Sequence, residues 1–398
     1  MTIQNLLSLQ NRREFLIGGL ATAMVAGHFP TTRASTLPTE TINKVQDSGI
    51  HCIWLNLLGG VSQIDCWDPK PTAPVNIRGP FRTISSKTPG IFFTELFPKT
   101  AERSDHLTII RSMNYHRPLT HEMGLQLMHS GQAVTSGNGL PMIGSTLDYL
   151  GYGHHDLPAQ VLLPYSLGWN GHSIPQGQSG GNLGPEYAPL LLQNQQTVAT
   201  RSNANKSKKL AECWSLENES FLLRERYGHT PFGQSCLRSR RLVEKGVRFV
   251  TVNMYSSVYH SPSWDIHGNA PFSDFSDLKN HVAPDFDRAF SALIDDLQDR
   301  GLWQKTLIVA SSEFGRNPKP NAAGGRDHHN GVWSILLGGG FIPGGRVIGS
   351  SDPIAYLPAE EPIEPAQLVA TIYQLFGIDY SKLFPEANRS IKPIQKLF

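Results

Sequence analysis

Cysteine is scarce in this chain. Only four (Cys52, Cys66, Cys213, Cys236) occur in 398 residues, and no two form a Cys-x-x-Cys pair. Zinc-ribbon and thioredoxin-type chemistry are thereby excluded. Disulfides stay open, with Cys213 to Cys236 the more local pairing, and buried free thiols are the equal alternative. Charge is also sparse, at 17% of residues, and divided between 35 Lys+Arg and 33 Asp+Glu. With no excess of basic groups, nucleic acid is not an expected partner. No stretch beyond the N-terminus approaches the length of a transmembrane helix, so no stable membrane anchor is expected. No internal repeat is visible, which argues against a solenoid or structural array. What is plentiful is glycine (37) and proline (28), the composition of an ordinary globular core with long loops.

The N-terminus reads as an export signal. Arg12-Arg13-Glu14-Phe15-Leu16 precedes a short apolar run, Ile17 to Gly27, and then Thr32-Arg33-Ala34. Paired arginines before such a run match the twin-arginine pattern, whose machinery carries folded cargo. The expected organisation is a signal over residues 1–34, a polar linker over 35–50, and a single domain over 51–398. A bacterial protein delivered to the periplasm or secreted is implied. Removing the signal takes three arginines and one glutamate with it and leaves basic and acidic side chains equal in number.

Short apolar runs alternate with amphipathic segments. Ile53–Leu58, Leu107–Ile110, Val247–Val252, Thr306–Ala310 and Val332–Leu337 read as buried strands. Thr120 caps a helix running from His121 to Met128, helical character returns near 206–226, and Ser235–Lys245 ends at Gly246, a C-cap residue. Leu278–Arg300 carries Val282, Phe286, Phe290, Leu293 and Leu297 at helical spacing, and Pro365–Leu375 is a late helix. The stretch 150–210, rich in Gly, Asn, Gln and Pro, reads as loops inserted over one face. Strands alternating with helices of this size predict an α/β fold with a mainly parallel sheet covered on both faces.

Acids and imidazoles gather where these strands end, the usual place for ligands and catalytic groups in such a fold. Asp265 and His267 are two apart; in extended backbone both point to one side and reach one ion, and otherwise they are a turn Asp and an incidental His. Glu313 follows a strong strand, and Arg316 is placed to hold an anionic ester; the alternative is a surface Glu–Arg pair. Asp327, His328 and His329 sit in a glycine-rich loop, one ring for the metal and an acid to orient the other, or simply a solvated loop. Thr120 is either a nucleophile at a helix N-terminus or a plain N-cap, and Thr120 or His121 is the catalytic candidate opposite the leaving group. Asp65, after Gly59-Gly60, is a further candidate ligand. Carboxylates with neutral imidazoles suit zinc, manganese or iron.

Together these segments resemble a known family. The twin-arginine start, Gly59-Gly60-x-Ser62-Gln63-x-Asp65-x-x-Asp68-Pro69-Lys70-Pro71, Trp264-Asp265-x-His267, Glu313-Phe314-Gly315-Arg316 and Gly325-Arg326-Asp327-His328 are similar to the domain-of-unknown-function 1501 family. That family is grouped with alkaline phosphatases and sulfatases. The resemblance implies an alkaline-phosphatase-like α/β/α sandwich with a divalent-metal site (zinc, manganese, calcium or iron). It places Asp265 and His267 as a first ligand pair, Glu313 where the superfamily has Asp-His, His328 or His329 as the closing ligand, and Thr120 near the nucleophile position. No Cys-x-Pro-x-Arg or Ser-x-Pro-x-Arg occurs, so a formylglycine sulfatase mechanism is not expected. The function implied is an exported metal-dependent hydrolase of sulfate or phosphate esters, small-molecule or polysaccharide. The alternative is a secreted binding protein that keeps the fold without turnover.

Overall fold

The computed structural model describes residues 49–133, 139–153, 157–167, 178–193, 196–198, 210–259, 262–384 and 391–398. The expected signal, residues 1–34, lies outside the described residues, as does the linker up to residue 48. Nine strands form one sheet: β1 His51–Asn56, β2 Leu107–Met113, β3 Gln160–Leu163, β4 Leu190–Gln193, β5 Gln196–Val198, β6 Phe249–Asn253, β7 Thr306–Ser311, β8 Trp333–Gly338 and β9 Arg346–Ile348. Their spatial order is β9-β2-β8-β7-β1-β6-β3-β4-β5. β1 pairs in parallel with both β6 and β7, and only β8 and β5 run against the rest.

Six main helices cover the sheet: α1 His121–Ser130, α2 Ile143–Tyr149, α3 Phe221–Tyr227, α4 Pro231–Glu244, α5 Ala283–Asp299 and α6 Pro365–Leu375. Successive residues of a strand face opposite sides, and β1 shows this directly. Ile53 and Leu55 join a core with Leu237, Leu242, Phe286 and Leu293 of α4 and α5. Cys52 and Trp54 join the opposite core with Met128, Ile143, Leu147 and Leu368 of α1, α2 and α6. The result is an α/β/α sandwich with a mainly parallel sheet. No helix among the described residues is long and apolar enough to cross a membrane. All four cysteines are buried free thiols, so Cys213 and Cys236 do not pair.

Two expectations change. The stretch 150–210 is not only loop, because it supplies β3, β4 and β5 at one flank of the sheet. Strands of three or four residues are too short to show a period in the sequence. The long helix is also broken in kind: Leu278–Val282 is a π-helical turn, and α5 starts only at Ala283, with Pro284 in its first turn. Proline has no N–H to continue the preceding ladder.

An ion-pair network locks α4 to α5. The Arg240 side chain, fully buried, donates from Nε to Asp296 at 2.8 Å and lies 2.8 Å from Glu219 and 2.7 Å from Glu244. Tyr227 donates its hydroxyl to Asp296 at 3.0 Å, and Arg300 Nε donates at 2.8 Å. Removing one partner strands buried charge. Asp296→Ala is therefore expected to lower unfolding stability by about 3 kcal/mol, read by denaturant titration; a loss under about 1 kcal/mol would show that the buried network contributes no more than an exposed ion pair.

Candidate metal centre

The sheet brings the strand-end segments to one edge. Loops leave there from the C-terminal ends of β1, β2, β6 and β7, and the chain enters antiparallel β8 from the same edge. Gly59 and Gly60 follow β1, His121 opens α1 after β2, Asp265 follows β6, Glu313 follows β7, and His328 precedes β8. Two glycines permit the close approach. A Cβ on Gly59, whose φ is +123°, would lie 2.4 Å from the Asp265 nitrogen, and one on Gly124 in α1 would lie 2.9 Å from the Glu313 carbonyl oxygen.

His121, Asp265 and His328 converge, each offering one ligand atom within 4.8 Å of the others. His121 Nε2 is 3.5 Å from Asp265 Oδ2, and His328 Nε2 is 3.7 Å from Asp265 Oδ1. The donor set fits a cation. Asp265 is 1% exposed, yet its Oδ2 accepts no hydrogen bond, a costly state for a carboxylate oxygen unless a cation occupies it. Burial pushes the His328 imidazole down to about 4, helped by the charges of Arg316 and His121 and opposed by Asp265, so its ring is neutral and able to ligate. Two imidazoles and one carboxylate suit zinc, manganese or iron; calcium, which takes oxygen donors, fits less well.

Other side chains hold these ligands. Glu313 Oε1 accepts from the Gly59 N–H at 2.9 Å and lies against His121 Nδ1. A proton on Nδ1 directed to Glu313 leaves the Nε2 lone pair facing Asp265, the carboxylate–histidine arrangement common around metals. Glu313 lies outside the three-residue cluster and contacts one of its imidazoles. Burial opposes charge on the Asp265 carboxylate, but His121, His267, His328 and Arg316 outweigh it and hold the pKa well below the usual range. For His121, burial is outweighed by Asp265 and Glu313, which raise its pKa.

Several expected roles move. Arg316 is not left open to an ester anion: it is fully buried, and its five N–H groups point to Gly59 O, Gly60 O, Arg326 O, the Asp265 carboxylate and His267. Asp65 is spent on Arg326, which donates from Nε at 2.6 Å and Nη2 at 3.1 Å, and on the Ser62 hydroxyl at 2.5 Å. His267 Nε2 lies 3.1 Å from Asp265 Oδ1 and 3.3 Å from Arg316 Nη1, so it is engaged on the ion-pair side of Asp265. Asp327, 61% exposed, sits 3.5 Å from His267 Nδ1 and accepts from Asn321 at 2.9 Å. His329 points to the other side of its strand and donates to Tyr356 O at 2.6 Å. Thr120 is exposed and accepts the Met123 N–H at 3.4 Å, the N-cap geometry. Arg326 carried no expected role; its position inside Gly325-Arg326-Asp327-His328 was the available signal.

A family model described as "Protein of unknown function (DUF1501)" matches residues 50–212 and 191–395. The chain belongs to that family. In this DUF1501 protein all three members of the cluster fall inside the matched residues. No curated protein matches the sequence. Similar solved structures include the C-terminal periplasmic domain of EcEptC from Escherichia coli (TM-score 0.43, 13% identity, covering 87% of this chain and 88% of that one). Others are the lipoteichoic acid synthase LtaP from Listeria monocytogenes (0.44, 10%, 87% and 77%) and the PsFucS1 sulfatase from Pseudoalteromonas sp. (0.42, 14%, 88% and 71%).

For the DUF1501 centre, Asp265→Ala or His328→Ala is expected to abolish stoichiometric binding of zinc or manganese, read by calorimetry. Glu313→Ala is expected to weaken it by about 10- to 100-fold. Unchanged affinity in Glu313→Ala would show that the carboxylate does not orient His121.

Proposed function

We propose that this protein is an exported, metal-dependent hydrolase of sulfate or phosphate esters, delivered by the twin-arginine machinery to the periplasm or the exterior of a bacterial cell. The observation that carries the reading is the convergence of His121, Asp265 and His328, with Asp265 buried and its Oδ2 accepting no hydrogen bond. His121, Asp265 and His328 would hold the ion. When bound, a divalent ion there supplies a Lewis acid for an ester oxygen and lowers the pKa of water.

The chain's own groups do the rest. Glu313 keeps the His121 ring aimed at the site. Arg316 keeps Asp265 anionic and ties it to the Gly59-Gly60 turn. Asp265 lies beneath His267 and His328, whose side chains are 23% and 36% exposed, so the site opens on that side. Because Thr120 is engaged as the cap, attack is assigned to water rather than to its hydroxyl. The substrate is a small-molecule or polysaccharide ester that enters past His267 and His328.

A second reading, a secreted binding protein without turnover, is favoured by one observation. The described residues hold a single three-residue cluster, whereas a two-metal site needs more ligands. A panel of aryl phosphate, phosphodiester and aryl sulfate esters separates the readings. The hydrolase reading expects turnover that chelator abolishes and added metal restores, and that Asp265→Ala lacks. Metal-loaded wild type that binds esters and turns none over supports the binder instead.

A further inference from the structure

Two aromatic rings stand beside His267 at the edge of the site. Phe272 packs its ring against His267 at 4.8 Å, and Tyr259 packs against Phe272 at 5.8 Å. Both residues are half-buried, as is His267, and Tyr259 also packs against the buried cluster of Leu58, Leu125, Leu167 and Val258. Phe272 is held by the same turn that places Asp265. Phe272 N–H closes onto Asn269 O at 3.0 Å, Gly268 N–H onto Ser273 O at 2.9 Å, and Ser273 N–H onto Asp265 O at 3.0 Å. Ser263 N–H adds a bond to Ser273 Oγ at 2.8 Å. Phe272 is therefore fixed relative to the metal centre.

The floor of the site is polar, formed by Asp265 and the imidazoles around it. Arg316 and Arg326, both fully buried, spend their donors within the protein, so neither clamps the anion. Discrimination among esters must then come from contacts beyond the reacting group. A half-buried aromatic ring against His267 can supply such a contact by stacking.

We propose that Phe272, backed by Tyr259, is a subsite for the alcohol portion of the ester and selects leaving groups that present a flat ring face. The proposal rests on the hydrolase reading above. The shared chemistry is a planar apolar face, supplied by an aryl ring or by the C–H face of a pyranose.

The test measures kcat and KM of the full chain, metal-loaded, on three ester types of the same acid. These are 4-nitrophenyl phosphate or sulfate, glucose 6-phosphate or 6-sulfate, and methyl phosphate or sulfate. For whichever ring ester wild type turns over, the ratio of its kcat/KM to that of the methyl ester is compared among variants. In Phe272→Ala that ratio is expected to fall about five- to tenfold, mainly through KM, and Phe272→Tyr is expected to restore it. The ester whose ratio falls identifies an aryl or a pyranose leaving group. An unchanged ratio, with ring and methyl esters slowed together, would overturn the subsite and leave the hydrolase standing, Phe272 then only supporting His267. If wild type hydrolyses none of the esters, the hydrolase reading fails and the subsite fails with it.

Discussion

The Asp265–Arg316 pair is the constraint on which the rest of the site depends. A carboxylate at 1% exposure is tolerated only beside compensating charge. Arg316 provides it on one side and reaches both Gly59 O and Gly60 O with the same guanidinium. That single cation thus joins the loop after β1, the loop after β6 and the strand that carries it. The other oxygen of Asp265 is left beside His121, while His328 approaches the oxygen that Arg316 holds. The geometry of the candidate metal centre is a consequence of how that one pair is satisfied.

A second pair repeats the logic further out. Arg326 and Asp65 are both fully buried and bonded through two nitrogens. Their contact fastens the Gly59–Asp65 loop to the segment that carries His328. Gln63 adds a polar clamp, giving and receiving bonds with the Arg316 backbone and donating to Ala355 O at 2.9 Å. Most charged groups near the site are therefore framework. Their work is to hold two imidazoles and a carboxylate around one point, and function is left to few residues.

The sandwich was legible because its strands are continuous apolar runs and α5 repeats its apolar residues at helical spacing. Convergence at one sheet edge was legible too, since Asp265, Glu313 and His328 each follow or precede such a run. The direction of each side chain was not. Extended backbone would put Asp265 and His267 on one side, but Ile266 N–H closes onto Trp264 O and His267 N–H onto Asp265 O. Those tight turns aim His267 at Arg316 instead of at the His121 side. Glu313 and Arg316 have the side chains of a ligand and an anion clamp. Only the Gly59 N–H, the His121 ring and the inward carbonyls convert them into supports. His121 stands in the sequence beside Thr120, a catalytic candidate; what marks it as a candidate ligand is its convergence with Asp265 and His328, far away in the sequence.

X-ray absorption of the protein loaded with one equivalent of zinc tests the central claim most directly. The account predicts a first shell containing two imidazole nitrogens and a carboxylate oxygen at about 2.0–2.1 Å, with one imidazole lost in His121→Ala and one in His328→Ala. A shell of oxygens alone, or an imidazole count unchanged in both variants, would contradict it.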